Sequence, residues 1–213
     1  MARATPRPQP WNDAIRHLKQ TDDRWAARIK QVGPCLLKPH RDRFAMLVRA
    51  IVSQQISTKA AKAINQRLCD LCDGRHHPER LMRLSDDHLR AAGLSNMKVR
   101  YVRSLADAVH SGRLPLHQAG RWSDEDLVAR LTQVSGIGRW TAEMFQIFAL
   151  NRPDILSVGD LGIRAGIQRH YDLSEMPDPK SCVRLAEPWR PYRTVAMWYL
   201  WREKDTSPPT GQA

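Results

Sequence analysis

No apolar run in these 213 residues approaches the roughly 20 residues that a membrane-spanning helix needs, so a transmembrane reading is set aside. The first ten residues are rich in Arg and Pro and lack the apolar stretch of a secretion signal, so an intracellular protein is expected: cytoplasm or nucleoid in a bacterium, nucleus in a eukaryote. Cysteine is sparse. Cys35, Cys69, Cys72 and Cys182 are too scattered for the tight run that holds an iron–sulfur cluster. Cys69 and Cys72 form a CxxC pair with His76 and His77 close behind, which invites a zinc reading. Both cysteines fall in a helical pattern, however, and no second ligand pair stands at finger spacing, so no zinc site is expected. Acidic residues are also short, with 22 Asp and Glu against 34 Lys and Arg. A formal charge of +12 favours a polyanionic partner, because each cation that meets a phosphate releases a condensed counterion. With 42% hydrophobic residues a disordered chain is excluded, and the length suits one globular unit or two small subdomains.

What is present is helical patterning. Phe44, Leu47, Val48, Ile51 and Val52 recur at the i, i+3, i+4 spacing of one buried helix face. Ala61, Ile64, Leu68 and Leu71 repeat it after Ser57, a plausible N-cap. Val102, Leu105, Ala106 and Val109 make a third stripe, and Leu127, Leu131 and Val134 a fourth. Ser123 with Asp126 resembles a capping box for that last helix. Ser85, ahead of Asp86 and Asp87, starts a shorter one that Gly93 ends. Only Ile155–Val158 is apolar and β-branched enough to suggest a short extended piece. The spacing predicts an all-α chain. Residues 1–10 are expected to be a flexible arm, 204–213 a flexible tail, and 114–122 a connection between helices.

The segment Leu131–Leu150 reads LTQVSGIGRWTAEMFQIFAL. Gly136 and Gly138 flank Ile137, which permits a tight turn at positive φ and leaves amides uncovered beside the start of the next helix. Such amides form a phosphate site, with Ile137 plugged into the core; an ordinary αα-hairpin capped by glycine is the competing reading. Asp160 stands just before a helical stretch, Leu161–His170, where a carboxylate serves well as N-cap.

VSGIGRWTA resembles the hairpin of the helix-hairpin-helix (HhH-GPD) superfamily of DNA glycosylases, in its 3-methyladenine DNA glycosylase II branch. LSVGDLGIRAGIQ, IVSQQISTKAAKAINQRL, GLSNMKVRYVRSLA and EPWRPYRTVAMWYLW resemble further blocks of that branch, in order, from Phe44 to Trp201. The resemblance implies an all-α fold of two helical subdomains flanking a cleft. The terminal helices of a domain spanning 11–203 form one, and roughly 44–150 form the other together with the hairpin. It implies duplex DNA carrying alkylated bases as partner, a monomeric enzyme and no cofactor, with a monovalent cation at the hairpin when DNA is bound.

By the same resemblance Asp160 is the catalytic carboxylate, a role compatible with capping. Gly136, Ile137, Gly138, Arg139 and Thr141 contact the DNA backbone, and Gln55 fills the minor-groove wedge position. A plain helix cap with solvated glutamines is the other reading of Ser53–Ser57. Trp140 and Trp198 fall on the walls of the base pocket, or else are core tryptophans; an indole face suits the electron-poor ring of an alkylated purine. Trp11, Trp25, Trp122, Trp189 and Trp201 read as packing residues. Lys59, Lys62, Arg100, Arg103 and Arg164 are candidate phosphate contacts or ordinary solvated charges, and His40, His110, His117 and His170 show no ligand spacing.

Superfamily members that also nick the strand carry a lysine where this chain has Trp140. Arg139 beside it stays protonated and cannot replace that nucleophile. The resemblance therefore implies a monofunctional glycosylase that hydrolyses the N-glycosidic bond. The alternative is a non-catalytic DNA-binding module that keeps the hairpin without the chemistry.

Overall fold

The computed structural model describes residues 11–202; the expected arm at 1–10 and tail at 204–213 lie outside the described residues. In chain order the α-helices are α1 (Asn12–Thr21), α2 (Asp23–Val32), α3 (Arg43–Ser53), α4 (Thr58–Asp70), α5 (Pro78–Arg83) and α6 (Asp86–Ala91). They continue with α7 (Asn96–His110), α8 (Asp124–Thr132), α9 (Arg139–Phe148), α10 (Leu161–His170), α11 (Pro179–Leu185) and α12 (Arg193–Trp201). Two short 3-10 turns, Leu116–Arg121 and Glu187–Trp189, complete the list, and no strand occurs among the described residues. The apolar piece Ile155–Val158 is thus not a strand. Side chains hold it instead, with the Ile155 amide donating to Thr194 Oγ1 at 2.9 Å and the Ser157 amide to Met197 Sδ at 3.3 Å.

Eight of the α-helices start on an Asp or Ser whose side chain accepts an amide of the first turn: Asp22, Asp42, Ser57, Ser85, Ser95, Ser123, Asp160 and Asp178. Each such cap is worth about 1 kcal/mol. Ser57, Ser85, Ser123 and Asp160 are those the sequence singles out. α9 has no such cap, because it starts on Gly138.

The chain divides into two compact units, residues 39–150 and residues 11–38 with 151–202. In the first, the predicted stripes meet: Leu47, Val48, Ile51 and Val52 of α3, Val102 and Leu105 of α7, Leu127 and Leu131 of α8, and Phe145 of α9 are all fully buried. Each buried side chain of this size contributes about 1.5–3 kcal/mol relative to exposure. α7 is the long central member, packed on α3, α5 and α6.

The second unit pairs α10 with α12 and α1 with α2 around Leu18, Trp25, Ile163, Ile167, Trp189, Tyr199 and Leu200. At its centre lies His170, buried among Trp25, Tyr171 and Trp189 with ring centroids 4.1, 4.8 and 6.2 Å away. His170 Nδ1 accepts from Arg28 Nε at 3.2 Å, and its Nε2 stands 3.8 Å from Asp22 Oδ2. The sequence assigns His170 no role; the structure makes it the polar keystone of an aromatic core. Helix α12 comes so close to α10 that a Cβ on Gly166 would stand 2.9 Å from Leu200 Cβ.

Candidate functional site

The hairpin lies within the 39–150 unit. Helix α8 stops at Thr132, two residues before the predicted Val134, and Val134 becomes part of the turn. The Ile137 amide donates to the Val134 carbonyl at 3.1 Å, and both side chains are buried, 5% and 4% exposed. Ile137 is therefore the expected plug. Gly136 has φ +89, and a Cβ there would overlap the ring of Tyr101 on α7. Only glycine meets both demands.

Gly138 departs from expectation. Its φ is −91 and ψ 175, so it does not share the positive φ predicted for the pair. The reason is its place as N-cap of α9, where the chain is extended before the helix begins. Nothing lies within 4 Å of where its Cβ would be. With no side chain to cap α9, the amides of that first turn are where an outside acceptor would fill the role.

Arg139 is exposed and pairs through Nε with Glu143 Oε1 at 2.9 Å, one helical turn on. Trp140 is 39% exposed, whereas Thr141 is buried. Beside the hairpin, Gln55 is exposed at the tip of the α3–α4 loop and holds φ +56. Its neighbour Gln54 donates from Nε2 to the Gly136 carbonyl at 2.8 Å, which ties loop to hairpin. Lys59, Lys62 and Arg100 are exposed.

Arg103 and Arg164 are internal staples instead of open cations. Arg103 donates to Asp86 Oδ1 at 2.7 Å and to the Met82 and Leu84 carbonyls at 3.2 and 2.5 Å; Arg164 donates to the Pro177 carbonyl at 3.0 Å. Apart from Asp86, their acceptors are main-chain carbonyls at the end of α5 and just ahead of α11, a use no charge pattern reveals.

Asp160 belongs to the other unit. It caps α10, with Oδ1 accepting the Ile163 amide at 2.9 Å, while its own amide donates to the Ser157 carbonyl at 3.2 Å. The residue is 9% exposed, an unusual depth for a carboxylate. Gly162 leaves it room: a Cβ there would stand 3.0 Å from Asp160 Oδ1 and 3.7 Å from Trp201 Cδ1. Gly162 thus keeps open a space that the carboxylate and the buried Trp201 both border, whereas in the sequence Trp201 reads as packing alone. A glycine two places after the aspartate, inside a helix where it is unfavourable, is the signal that points to it.

Trp198, on α12 in the same unit, is 3% exposed and stands edge-on to Tyr199. The Arg202 guanidinium lies 4.4 Å from its ring centroid, and its indole N–H has no hydrogen-bond partner among the described residues. The other two tryptophans of this stretch, Trp189 and Trp201, are packed inside.

The CxxC pair makes a local contact of its own. No group of three His, Cys, Asp or Glu residues arranged to hold a metal occurs among the described residues. Cys69 Sγ instead contacts His76 Nε2 at 3.5 Å, and burial lowers the His76 pKa to about 4, which keeps the ring neutral.

Residues 48–191 match the HhH-GPD superfamily of base excision DNA repair proteins. The DNA-3-methyladenine glycosylase 1 of Schizosaccharomyces pombe is 38% identical over 192 residues, 87% of this chain and 84% of that protein. An alkylbase DNA glycosidase-like protein of the same yeast is 32% identical over 195 residues, 89% and 92% of the two chains. Among solved structures, the S. pombe 3-methyladenine DNA glycosylase in complex with abasic DNA superposes with a TM-score of 0.79 at 38% identity, covering 89% of this chain and 95% of that one. A DNA-3-methyladenine glycosidase of Bacillus halodurans gives 0.80 at 37% identity, covering 94% and 90%. A bare-headed helix after a glycine turn, a buried carboxylate capping another helix, and these likenesses along most of the chain make it a member of the HhH-GPD superfamily of base excision DNA repair proteins.

Proposed function

We propose that this protein is a monofunctional DNA-3-methyladenine glycosylase. It hydrolyses the N-glycosidic bond of alkylated purines in duplex DNA after flipping the base out, the first step of base excision repair inside the cell. The observation that carries this is Asp160, a carboxylate buried at the head of α10 and pinned through Oδ1. A DNA-binding module needs hairpin amides and no such group. Breaking the bond builds positive charge on the deoxyribose, and a fixed carboxylate in a low-dielectric site stabilises that charge as it forms. Water then adds its hydroxyl to C1′, and its proton leaves with the departing base or through the carboxylate.

In this scheme Gly136, Ile137, Gly138, Arg139 and the inward-facing Thr141 form the backbone grip, acting as a monomer on one duplex. The hairpin carbonyls, neutral oxygen donors of which Val134 and Gly136 each already accept one hydrogen bond, would hold a monovalent cation when DNA is bound. Such a cation supplies charge against a phosphate and takes no part in bond breaking. Gln55 fills the gap left by the flipped base. Trp140 offers an accessible indole to the base, and the unsatisfied N–H of the buried Trp198 supports its place at the pocket wall.

The test is a panel of duplexes carrying 3-methyladenine, 7-methylguanine, hypoxanthine or ethenoadenine, with free base measured by chromatography. Release from at least one methylated purine is expected. No release from any of them, alongside tight binding, would assign the chain to the non-catalytic class.

The missing lysine has its own consequence. Trp140 occupies the position of the strand-nicking nucleophile and no imine with the sugar can form from it. Borohydride added during turnover should trap no protein–DNA adduct, and the product should be an unbroken abasic strand that only heat or alkali cleaves. Lys59 or the amino terminus could attack an opened sugar only slowly, since an ordinary amine is mostly protonated at neutral pH. Trapping that keeps pace with base release would falsify the monofunctional assignment.

A further inference from the structure

Helix α7 carries three residues on one face, Lys98, Tyr101 and Ser104, spaced at i, i+3 and i+6. Each meets a different part of the hairpin and loop described above, and all of them lie in the 39–150 unit. Lys98 Nζ donates to the Val52 carbonyl at 2.6 Å and to the Gln54 carbonyl at 2.7 Å, both at the end of α3 where it gives way to the Gln55 loop. Tyr101 lies against Gly136 so closely that no Cβ fits between them. Ser104 Oγ accepts the Ser135 amide at 3.3 Å. Gln54 closes the circuit by donating its side-chain amide to the Gly136 carbonyl at 2.8 Å.

The chemistry of the first contact is specific. The last carbonyls of a helix lack intrahelical donors and carry its negative end, so an ammonium group there satisfies two acceptors and complements the dipole. Lys98 is half-buried, and burial lowers its pKa, so its position is held against a desolvation penalty. Directly after these carbonyls Gln55 sits at φ +56, a conformation that a residue with a side chain keeps only where its surroundings enforce it.

We propose that Lys98, together with the Tyr101–Ser104 face of α7, is a positioning device that locks the Gln55 loop to the hairpin in one fixed register, so that gripping the backbone and filling the vacated base stack occur as a single event. This rests on the reading of Gln55 as the residue that enters the duplex. Lys98 touches neither base nor sugar in this scheme; it acts through the loop.

The experiment uses the full chain. Lys98→Met keeps the aliphatic stem and removes the donor, whereas Lys98→Arg keeps a cationic donor. Insertion into the stack is read without chemistry, by the fluorescence of 2-aminopurine placed beside a tetrahydrofuran abasic site. For Lys98→Met the insertion signal should fall at least fivefold and single-turnover base release at least tenfold, with affinity for undamaged duplex within about twofold; Lys98→Arg should recover part of both. Combined with Gln55→Ala, Lys98→Met should add no further loss, because both act through one loop.

Gln54→Ala cuts the loop–hairpin link while leaving the Lys98 contacts to main chain, and it should show the same split if Lys98→Met does not fold. Loss of undamaged-duplex affinity in proportion to the insertion signal, or fully additive losses with Gln55→Ala, would overturn the proposal. A wild type that inserts but releases no base would retire the glycosylase reading and leave the positioning role intact. A wild type that gives no insertion signal would remove the positioning role itself.

Discussion

Asp160→Asn is expected to reduce base release by about 100- to 1000-fold or more while leaving the fold and DNA binding in place. The substitution separates two duties of one side chain. As N-cap, Asp160 accepts the Ile163 amide through Oδ1; an asparagine carbonyl oxygen does this about as well, so α10 should keep its start and the thermal midpoint should barely move. In the proposed reaction it is the charge opposite the developing sugar cation, and a neutral amide offers no substitute. Binding to damaged duplex should be unchanged or tighter, since the complex no longer turns over. Single-turnover release and anisotropy on the same duplex check the two halves, and near-native release by a folded variant would end the catalytic assignment of Asp160. Crowding of the same group by Gly162→Ala would be a poorer probe, because a methyl 3.0 Å from Oδ1 shifts position and charge environment together.

The second large effect is a contrast between two glycines that look equivalent in the sequence. Gly136→Ala should destabilise the protein by about 2–4 kcal/mol, from the positive φ and from overlap with Tyr101. For a chain of this length that corresponds to a fall in thermal midpoint of roughly 10 °C. DNA affinity should fall with it, because the turn can form only by displacing α7 or the hairpin. Gly138→Ala should cost less than about 1 kcal/mol, since φ is −91 and the site is open. Its effect should appear in DNA affinity, where the added methyl stands at the bare head of α9. Scanning fluorimetry and duplex titration on the two variants decide the matter: equal destabilisation of both, or full duplex binding by Gly138→Ala, would contradict this division of labour.

The helices that carry the buried stripes and half of the side-chain caps were legible in the sequence, because a 3.6-residue period and an Asp or Ser ahead of it are local signals. Ser57, Ser85 and Ser123 cap the helices they precede, and Ile137 is buried in the turn. Less was readable where a residue answers to something distant. Gly138 carries the same letter as Gly136, and the sign of φ depends on which of them heads the next helix. Arg103 and Arg164 look like solvated cations until the Met82, Leu84 and Pro177 carbonyls are brought to them.

His170 and Trp201 extend the same lesson. Alone in the sequence, a histidine without ligand spacing suggests nothing; in the fold it receives Arg28 and stands in a ring of aromatics. Trp201 is one of seven tryptophans until the fold places it beside Gly162, on the space that the Asp160 carboxylate also borders.

By itself the sequence determined that the chain is helical, basic, and built with a glycine turn ahead of one helix and an aspartate ahead of another. Those properties follow from interactions between residues a few positions apart and from net charge. Only the tertiary structure decided that α7 supports both the hairpin and the Gln55 loop, since Lys98 reaches carbonyls 44 and 46 residues away in the chain and Ser104 an amide 31 away. Contacts over such separations depend on how buried faces pack, and packing is a property of the assembled helices that no short window of residues contains.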